Sequence, residues 1–260
     1  MQQNLQTYNN YTHEYKDYHL YPAEQIIFGK FEDKWSDFRM LDIGIGTGRT
    51  TYHFSPLVKH YTGIDYAEMM VQKCREKIKV TENVILEQAD ARDLSKYYND
   101  KFDFIMFTLN GIDSVSHEDR KNILQEIRKV LTKDGHFYFS SHSLRAFRNY
   151  REPPKFKWYS PAKSILQIVK TKMFNRRIKS FYSDKQVQSF SGSDWKILKT
   201  GAHDFNIDIH HIDPSYQLKQ LNEIGFDVVS IYGLYGGIQD VKTTKCNTLY
   251  YLCKMKPDKN

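Results

Sequence analysis

Long apolar runs are missing from this 260-residue chain. The longest, such as Phe104 to Phe107, fall far short of the ~20 apolar residues a bilayer-spanning helix needs. The first residues, MQQNLQTYNNYTHEYK, are polar and lack the apolar stretch of a secretory leader, so a cytoplasmic protein is expected. Cysteine is scarce too. Cys74, Cys246 and Cys253 form no even disulfide set and stand at no paired metal-ligand spacing, so they are expected to be reduced thiols. No metal site is expected; the nearest approach to a ligand cluster is the run His210, His211 and Asp213. Wholesale disorder is excluded by a composition that is 40% hydrophobic and 15% aromatic.

Acid is locally scarce as well. The net charge is +7, but between Arg145 and Lys185 twelve bases face only Glu152 and Asp184. That segment therefore holds a surplus of ten, and the rest of the chain is net negative by three.

From Arg39 onward, short strands alternate with helical patterns. Strands are expected at Arg39 to Ile43, His60 to Ile64, Val84 to Gln88, Phe102 to Phe107 and His136 to Ser141, and finally at Phe226 to Ile231 and Thr248 to Cys253. Helices are expected from about Arg49, over Ala67 to Ile78, from the capping box Ser116-His-Glu-Asp119 through Leu131, and over Pro214 to Ile224. The Lys133-Asp-Gly135 turn should stop the third of these, and Gly225 the last. The pattern implies α/β architecture: a Rossmann-like, seven-stranded, mostly parallel sheet with helices on both faces, in one domain over 1–260. Ahead of it, Tyr8, Tyr11, Tyr15 and Tyr18 recur at helical spacing, with Pro22 interrupting that helix or opening the next. Two readings stand for the tyrosines: packing on the domain, or a lid over a pocket formed by residues 1–30.

In an open α/β sheet, ligands bind beyond the carboxyl ends of the strands. Asp42, Asp65 and Asp90 stand at three such ends, and Gly44, Gly46 and Gly48 follow the first strand. Dinucleotide enzymes use glycine turns too, but their pattern wants a third glycine where this chain has Arg49. An acid at Asp42 would also repel a pyrophosphate. S-adenosyl-L-methionine carries a sulfonium and an ammonium and no phosphate, so acids beside the turn favour it.

The successive stretches LDIGIGTG, GIDYAEMM, QADARDL, FDFIMFTLNGID and LTKDGHFYFSSHS resemble the class I S-adenosylmethionine-dependent methyltransferase family, from roughly Tyr8 to Ser143 and more weakly at the last strands. The resemblance implies a cofactor site. Gly44 to Gly48 would support the methionine part of the donor, with Asp42 nearby. Asp65 would accept both ribose hydroxyls. Tyr66 and Met70 would flank the adenine, and Asp90 with Ala91 would read its edge. Thr108 and Leu109 would offer backbone carbonyls to the ammonium, and Tyr8 and Tyr15 would belong to a helix closing over the donor.

Methyl transfer to oxygen or an ammonium requires loss of a proton, so a base is sought near the acceptor. Candidates are His142, His203, His210 and His211, with Tyr11 facing the acceptor. His142 stands at the active end of a strand, whereas His210 and His211 alternate and should point to opposite faces. Asn110 and Asp113 are candidate acceptor contacts. No Asn-Pro-Pro-Tyr-type sequence follows the fourth strand, which disfavours base N-methylation. Residues 144–212 are expected to build a cap over the acceptor. Their bases admit three readings: a solvated helix seated through Ile165, Leu166, Ile168 and Val169; a clamp for a small phosphorylated or nucleotide-linked acceptor; or an RNA-binding face. The expected function is methyl transfer to oxygen or nitrogen of a small metabolite, such as a surface-polysaccharide precursor. RNA methylation and non-catalytic donor binding stand as the alternatives.

Overall fold

Near-continuous burial along the central strands gives the sheet two apolar faces, and helices cover both. The computed structural model describes residues 2–10, 18–146, 158–182, 192–199 and 207–257. Their elements are α1 (Gln2–Asn10), α2 (Pro22–Lys30), β1 (Arg39–Ile43), α3 (Arg49–Phe54), β2 (His60–Asp65), α4 (Glu68–Lys77), β3 (Val84–Gln88) and β4 (Phe102–Phe107). Then follow α5 (His117–Val130), β5 (Leu131–Ser143), α6 (Pro161–Tyr182), β6 (Trp195–Lys199), β7 (Asp208–Ile212), α7 (Pro214–Ile224), β8 (Phe226–Gly233) and β9 (Thr248–Met255).

The parallel strands run in the order β3-β2-β1-β4-β5, so the direction of winding reverses between β1 and β4. Beyond β5 lie β9 and then β8, both added antiparallel. Along β4, Ile105 and Phe107 join one core with Phe137, Phe139, Tyr251 and Ile127. Phe104 and Met106 join the other, with Tyr138, Tyr250, Trp35 and Phe54. This period-two segregation is what buries both faces of a central strand.

The sheet has nine strands rather than seven. The two additional strands are β6 and β7, an antiparallel pair. β4 pairs with β5 only as far as Phe107 and Phe139, but β5 runs on to Ser143. Its free edge there pairs His142 with His211 and Ser143 with Ile212, so β7 takes the place that β4 vacates.

Two other sequence expectations shift. The Lys133-Asp-Gly135 turn lies inside β5, because α5 ends at Val130 and residues 132–135 bulge between the Phe102/Leu131 and Phe104/His136 pairs. No single helix carries the four tyrosines: α1 holds Tyr8, Tyr18 lies outside any helix or strand, and Tyr11 and Tyr15 lie outside the described residues, as does His203. Pro22 opens α2, where Glu24 reaches back to accept the Tyr21 backbone N–H at 2.9 Å. The capping expectation for α5 is met by Ser116, whose hydroxyl accepts the Asp119 N–H at 3.1 Å.

Candidate active site

The reversal of winding between β1 and β4 opens a cleft at the carboxyl ends of the strands. A cavity of about 510 Å³ lies there, within the range that holds small molecules and cofactors. After β1 the chain makes a tight turn in which Gly44 and Gly48 have φ of +70° and +97°. A Cβ on Gly44 would stand 3.0 Å from the Phe107 ring, and one on Gly48 would stand 2.9 Å from the Cys74 sulfur. Glycine is therefore required for both backbone shape and space. Gly44 and Gly46 line the cavity, and Gly48 lies behind it against α4.

Asp65, at the end of β2, lines the cavity and is only 6% exposed. Its Oδ2 accepts the Gly46 backbone N–H and its Oδ1 that of Ala67, both at 2.9 Å, and the Tyr66 backbone N–H also bonds to the carboxylate. Burial pushes its carboxyl up to about 6 despite these bonds. A carboxylate has about four acceptor sites, so capacity remains for a ligand.

Asp42 behaves differently. It is buried and does not line the cavity; Thr50 and Tyr61 donate to its Oδ2 at 2.5 and 2.6 Å. Burial pushes its carboxyl up to about 6 also. Asp42 thus braces the turn from behind, and the sequence argument from its charge loses force.

Tyr66, Met70, Asp90 and Ala91 form one end of the cavity. Tyr8 of α1 closes over it, edge-on to Tyr66 at 6.0 Å and hydrogen-bonded to Ser114 at 2.9 Å. Asp90 presents a carboxylate already held by Arg92, at 3.0 Å from Nε to each oxygen. Burial raises the Asp90 carboxyl, but the Arg92 hydrogen bonds hold it below its ordinary value. Thr108 and Leu109 form the wall after β4. Leu109 and Asn110 both have positive φ, 51° and 60°, a strained pair beside the cavity.

Several lining residues were not anticipated. Arg49 was read only as the residue that breaks a dinucleotide pattern. It lines the cavity, donates to both oxygens of the fully buried Glu24 at 2.5 and 2.8 Å, and reaches Thr108 Oγ1 at 3.4 Å. Tyr21, Arg92 and Ser114 also line it. Glu24 and Arg49 are 25 residues apart, and no local pattern marks such a pair.

None of the described histidine candidates lines the cavity. His142 lies one hydrogen bond from its rim, with Nε2 3.2 Å from Asn110 Nδ2, between the lining residues Leu109 and Gly111. Asp113 is fully buried and accepts from the His142 backbone N–H at 2.6 Å and from Nδ1 at 2.9 Å. Burial raises the Asp113 carboxyl, but the His142 hydrogen bond and the Arg120 guanidinium hold it below the usual carboxylate range. An ionised Asp113 only accepts, so the His142 proton sits on Nδ1 and Nε2 carries the lone pair. Arg120, itself fully buried, stands 3.6 Å from Asp113 and donates to Ser141 Oγ and Gln217 Oε1.

His210 and His211 diverge, as the strand alternation requires. His210 packs against His117, 3.0 Å from ring nitrogen to ring nitrogen, beside Trp195; burial pushes it down to about 2. The His211 ring lies 5.0 Å from that of His142, tilted by 39°, and burial pushes it down to about 4. Both are neutral packing groups around the His142 end of β5. Among the described residues, no group of three or more His, Cys, Asp or Glu side chains converges as a metal site.

Comparison with known proteins places these observations in a family context. Residues 40–135 match a family model described as a methyltransferase domain. Over 110 residues the chain is 33% identical to an uncharacterized methyltransferase, YcgJ, of Bacillus subtilis, a match covering 41% of this chain and 42% of that protein. The matched region thus spans less than half the length of the curated relatives. An S-adenosylmethionine-dependent methyltransferase from Clostridium acetobutylicum shares 15% identity and a TM-score of 0.59, covering 96% of this chain and 99% of that one. The glycopeptide N-methyltransferase MtfA, solved with S-adenosyl-L-homocysteine, shares 14% identity and a TM-score of 0.57 over 92% of each chain. At these identities the structural likeness is one of fold.

Proposed function

We propose that this chain, which carries a methyltransferase domain over residues 40–135 on a class I methyltransferase fold, binds S-adenosyl-L-methionine in the β1–β4 cleft and transfers its methyl group to a small acceptor. The observation that carries the reading is Asp65: a buried carboxylate at the end of β2, facing the cavity and held in place by the Gly46 N–H of the glycine turn. Its free lone pairs suit two ribose hydroxyls. The cradle at Gly44 admits the methionine portion close to the backbone, where a Cβ would meet Phe107. Tyr66 and Met70 would sandwich the adenine, with Ala91 at its edge, and Asp90 would act there together with its bound Arg92. Thr108 and Leu109 would receive the ammonium through their carbonyls, and Arg49 stands on the same wall for the carboxylate. Tyr8 would close the site from α1.

The bound donor supplies a methyl group on a positively charged sulfur. The chain aligns donor and acceptor, an effect worth up to about 7–11 kcal/mol in favourable intramolecular cases. His142 would take the acceptor's proton at Nε2 once the Asn110 amide that donates to it swings aside, and Asp113 would hold the ring in the Nδ1–H tautomer and stabilise the imidazolium that results. Oxygen or nitrogen of a small, phosphorylated or nucleotide-linked metabolite, such as a surface-polysaccharide precursor, is the acceptor we favour. The basic surplus of 145–185 supports an anionic acceptor. Release of S-adenosyl-L-homocysteine, screened over phosphorylated metabolites, nucleotide sugars, amines and total RNA, tests the reading. Turnover with one small-acceptor class supports it. Turnover with RNA alone would replace the acceptor, and donor binding without turnover on any of them would point to a non-catalytic protein.

A further inference from the structure

Between Pro161 and Tyr182 the sequence holds six bases and no acid. This stretch is a single 22-residue helix, α6, and no other helix or strand among the described residues packs along its length. The residues turned toward the body are Ser164, Ile168, Thr171 and Asn175, a stripe at helical spacing that is mostly polar. Of the aliphatic residues expected to seat the helix, Ile168 faces the body, but Ile165, Leu166 and Val169 face outward. Ile165, Leu166, Val169 and Met173 are 55%, 53%, 45% and 68% exposed. Lys163 and Lys170 flank this stripe on one side and Lys172 and Arg176 on the other, all exposed. Just ahead of the helix, Trp158 and Tyr159 are 87% and 83% exposed.

A contiguous aliphatic stripe in open solvent needs a cover. The flanking charge selects it. A second copy of this chain would bring the same six bases against the first, which is repulsive. RNA would meet the bases and the two aromatic rings but offers nothing to four aliphatic side chains. An anionic bilayer satisfies both sets: aliphatic groups enter the headgroup–acyl boundary, flanking Lys and Arg reach lipid phosphates, and Trp and Tyr sit at the interface. Among the described residues no helix is long and apolar enough to cross a membrane, so α6 would lie on the surface. We infer that α6 docks this protein on an anionic phospholipid surface through the Ile165–Leu166–Val169–Met173 stripe and its flanking bases.

The test is co-sedimentation of the full chain with vesicles of phosphatidylcholine alone and of phosphatidylcholine containing phosphatidylglycerol. The chain should bind only the anionic vesicles, and Trp158 emission should shift to the blue on binding. The variants Ile165→Ser/Val169→Ser/Met173→Ser and Lys170→Gln/Lys172→Gln/Arg176→Gln should each lower the partition coefficient by at least about tenfold. Their melting temperatures should match the parent, because all six side chains are exposed. Three results would overturn the inference. One is no binding to anionic vesicles at low salt. Another is full binding by the aliphatic triple variant, which would reduce the effect to charge alone. The third is total RNA displacing the chain from vesicles while binding that variant as well as the parent, which would make α6 an RNA surface.

Discussion

If Asp65 receives the donor's ribose, donor affinity must fall with pH through the carboxyl's own titration. Burial pushes Asp65 up to about 6, and ribose hydroxyls donate to its ionised form. At about pH 5 roughly one molecule in ten is ionised at this site, so the apparent affinity should be about tenfold weaker than near pH 7.5. The same carboxyl contributes to stability with the opposite sign. Asp42 and Asp65 both have raised carboxyls, so the native state holds protons that the unfolded chain releases between about pH 4 and 6. Unfolding free energy therefore falls as pH rises through that window, by at most about 3 kcal/mol per group. Buried His136, His210 and His211 act in the opposite sense, because the unfolded chain takes up protons below about pH 6.5 that these rings do not, so melting temperatures at both pH values are needed to separate donor binding from fold loss. Calorimetric titration with S-adenosyl-L-homocysteine at the two pH values measures the effect. Asp65→Asn should bind about a hundredfold more weakly near pH 7.5, from two charge-assisted bonds at about 1.5 kcal/mol each, and should lose the pH dependence. Equal affinity at both pH values, or an unchanged pH profile in Asp65→Asn, would refute the assignment.

Other consequences can be measured separately. His142→Gln should lower kcat about a hundredfold or more while leaving donor affinity unchanged, since the ring does not line the cavity; kinetics with an identified acceptor, alongside donor titration, separates the two. Arg49→Met leaves the buried Glu24 carboxylate without its partner and should cost about 3–5 kcal/mol by chemical denaturation, whereas Arg49→Met/Glu24→Gln should recover much of that loss. Gly48→Ala forces a side chain into φ +97° and against Cys74 and Ile78, a cost of about 2 kcal/mol that should lower the melting temperature by roughly 4–8 °C.

What the sequence made legible was set by local periodicity and punctuation. β1 to β4 begin and end almost where their apolar runs do, because each is bounded by glycine, aspartate or a helix start. Asp65 could be read from its place alone, after a buried strand. Asp42 could not: the partners that turn it inward, Thr50 and Tyr61, come from α3 and β2. Likewise, nothing near Asp113 in the chain announces that it holds His142, 29 residues away. The β6–β7 pair was not among the expected strands, and its union with the sheet depends on how far β5 outruns β4. In α6 the apolar run Ile165 to Val169 does not lie on one buried face: Ile168 turns inward and the others outward, because composition does not say which side of a helix meets the body.

The central claim is that the β1–β4 cleft holds S-adenosyl-L-methionine, and the most direct measurement is titration of the purified chain with S-adenosyl-L-homocysteine and, separately, with NAD. The account predicts saturable binding of S-adenosyl-L-homocysteine at one site per chain, weakened by Asp65→Asn, and no binding of NAD. Binding of NAD with no response to S-adenosyl-L-homocysteine would contradict it.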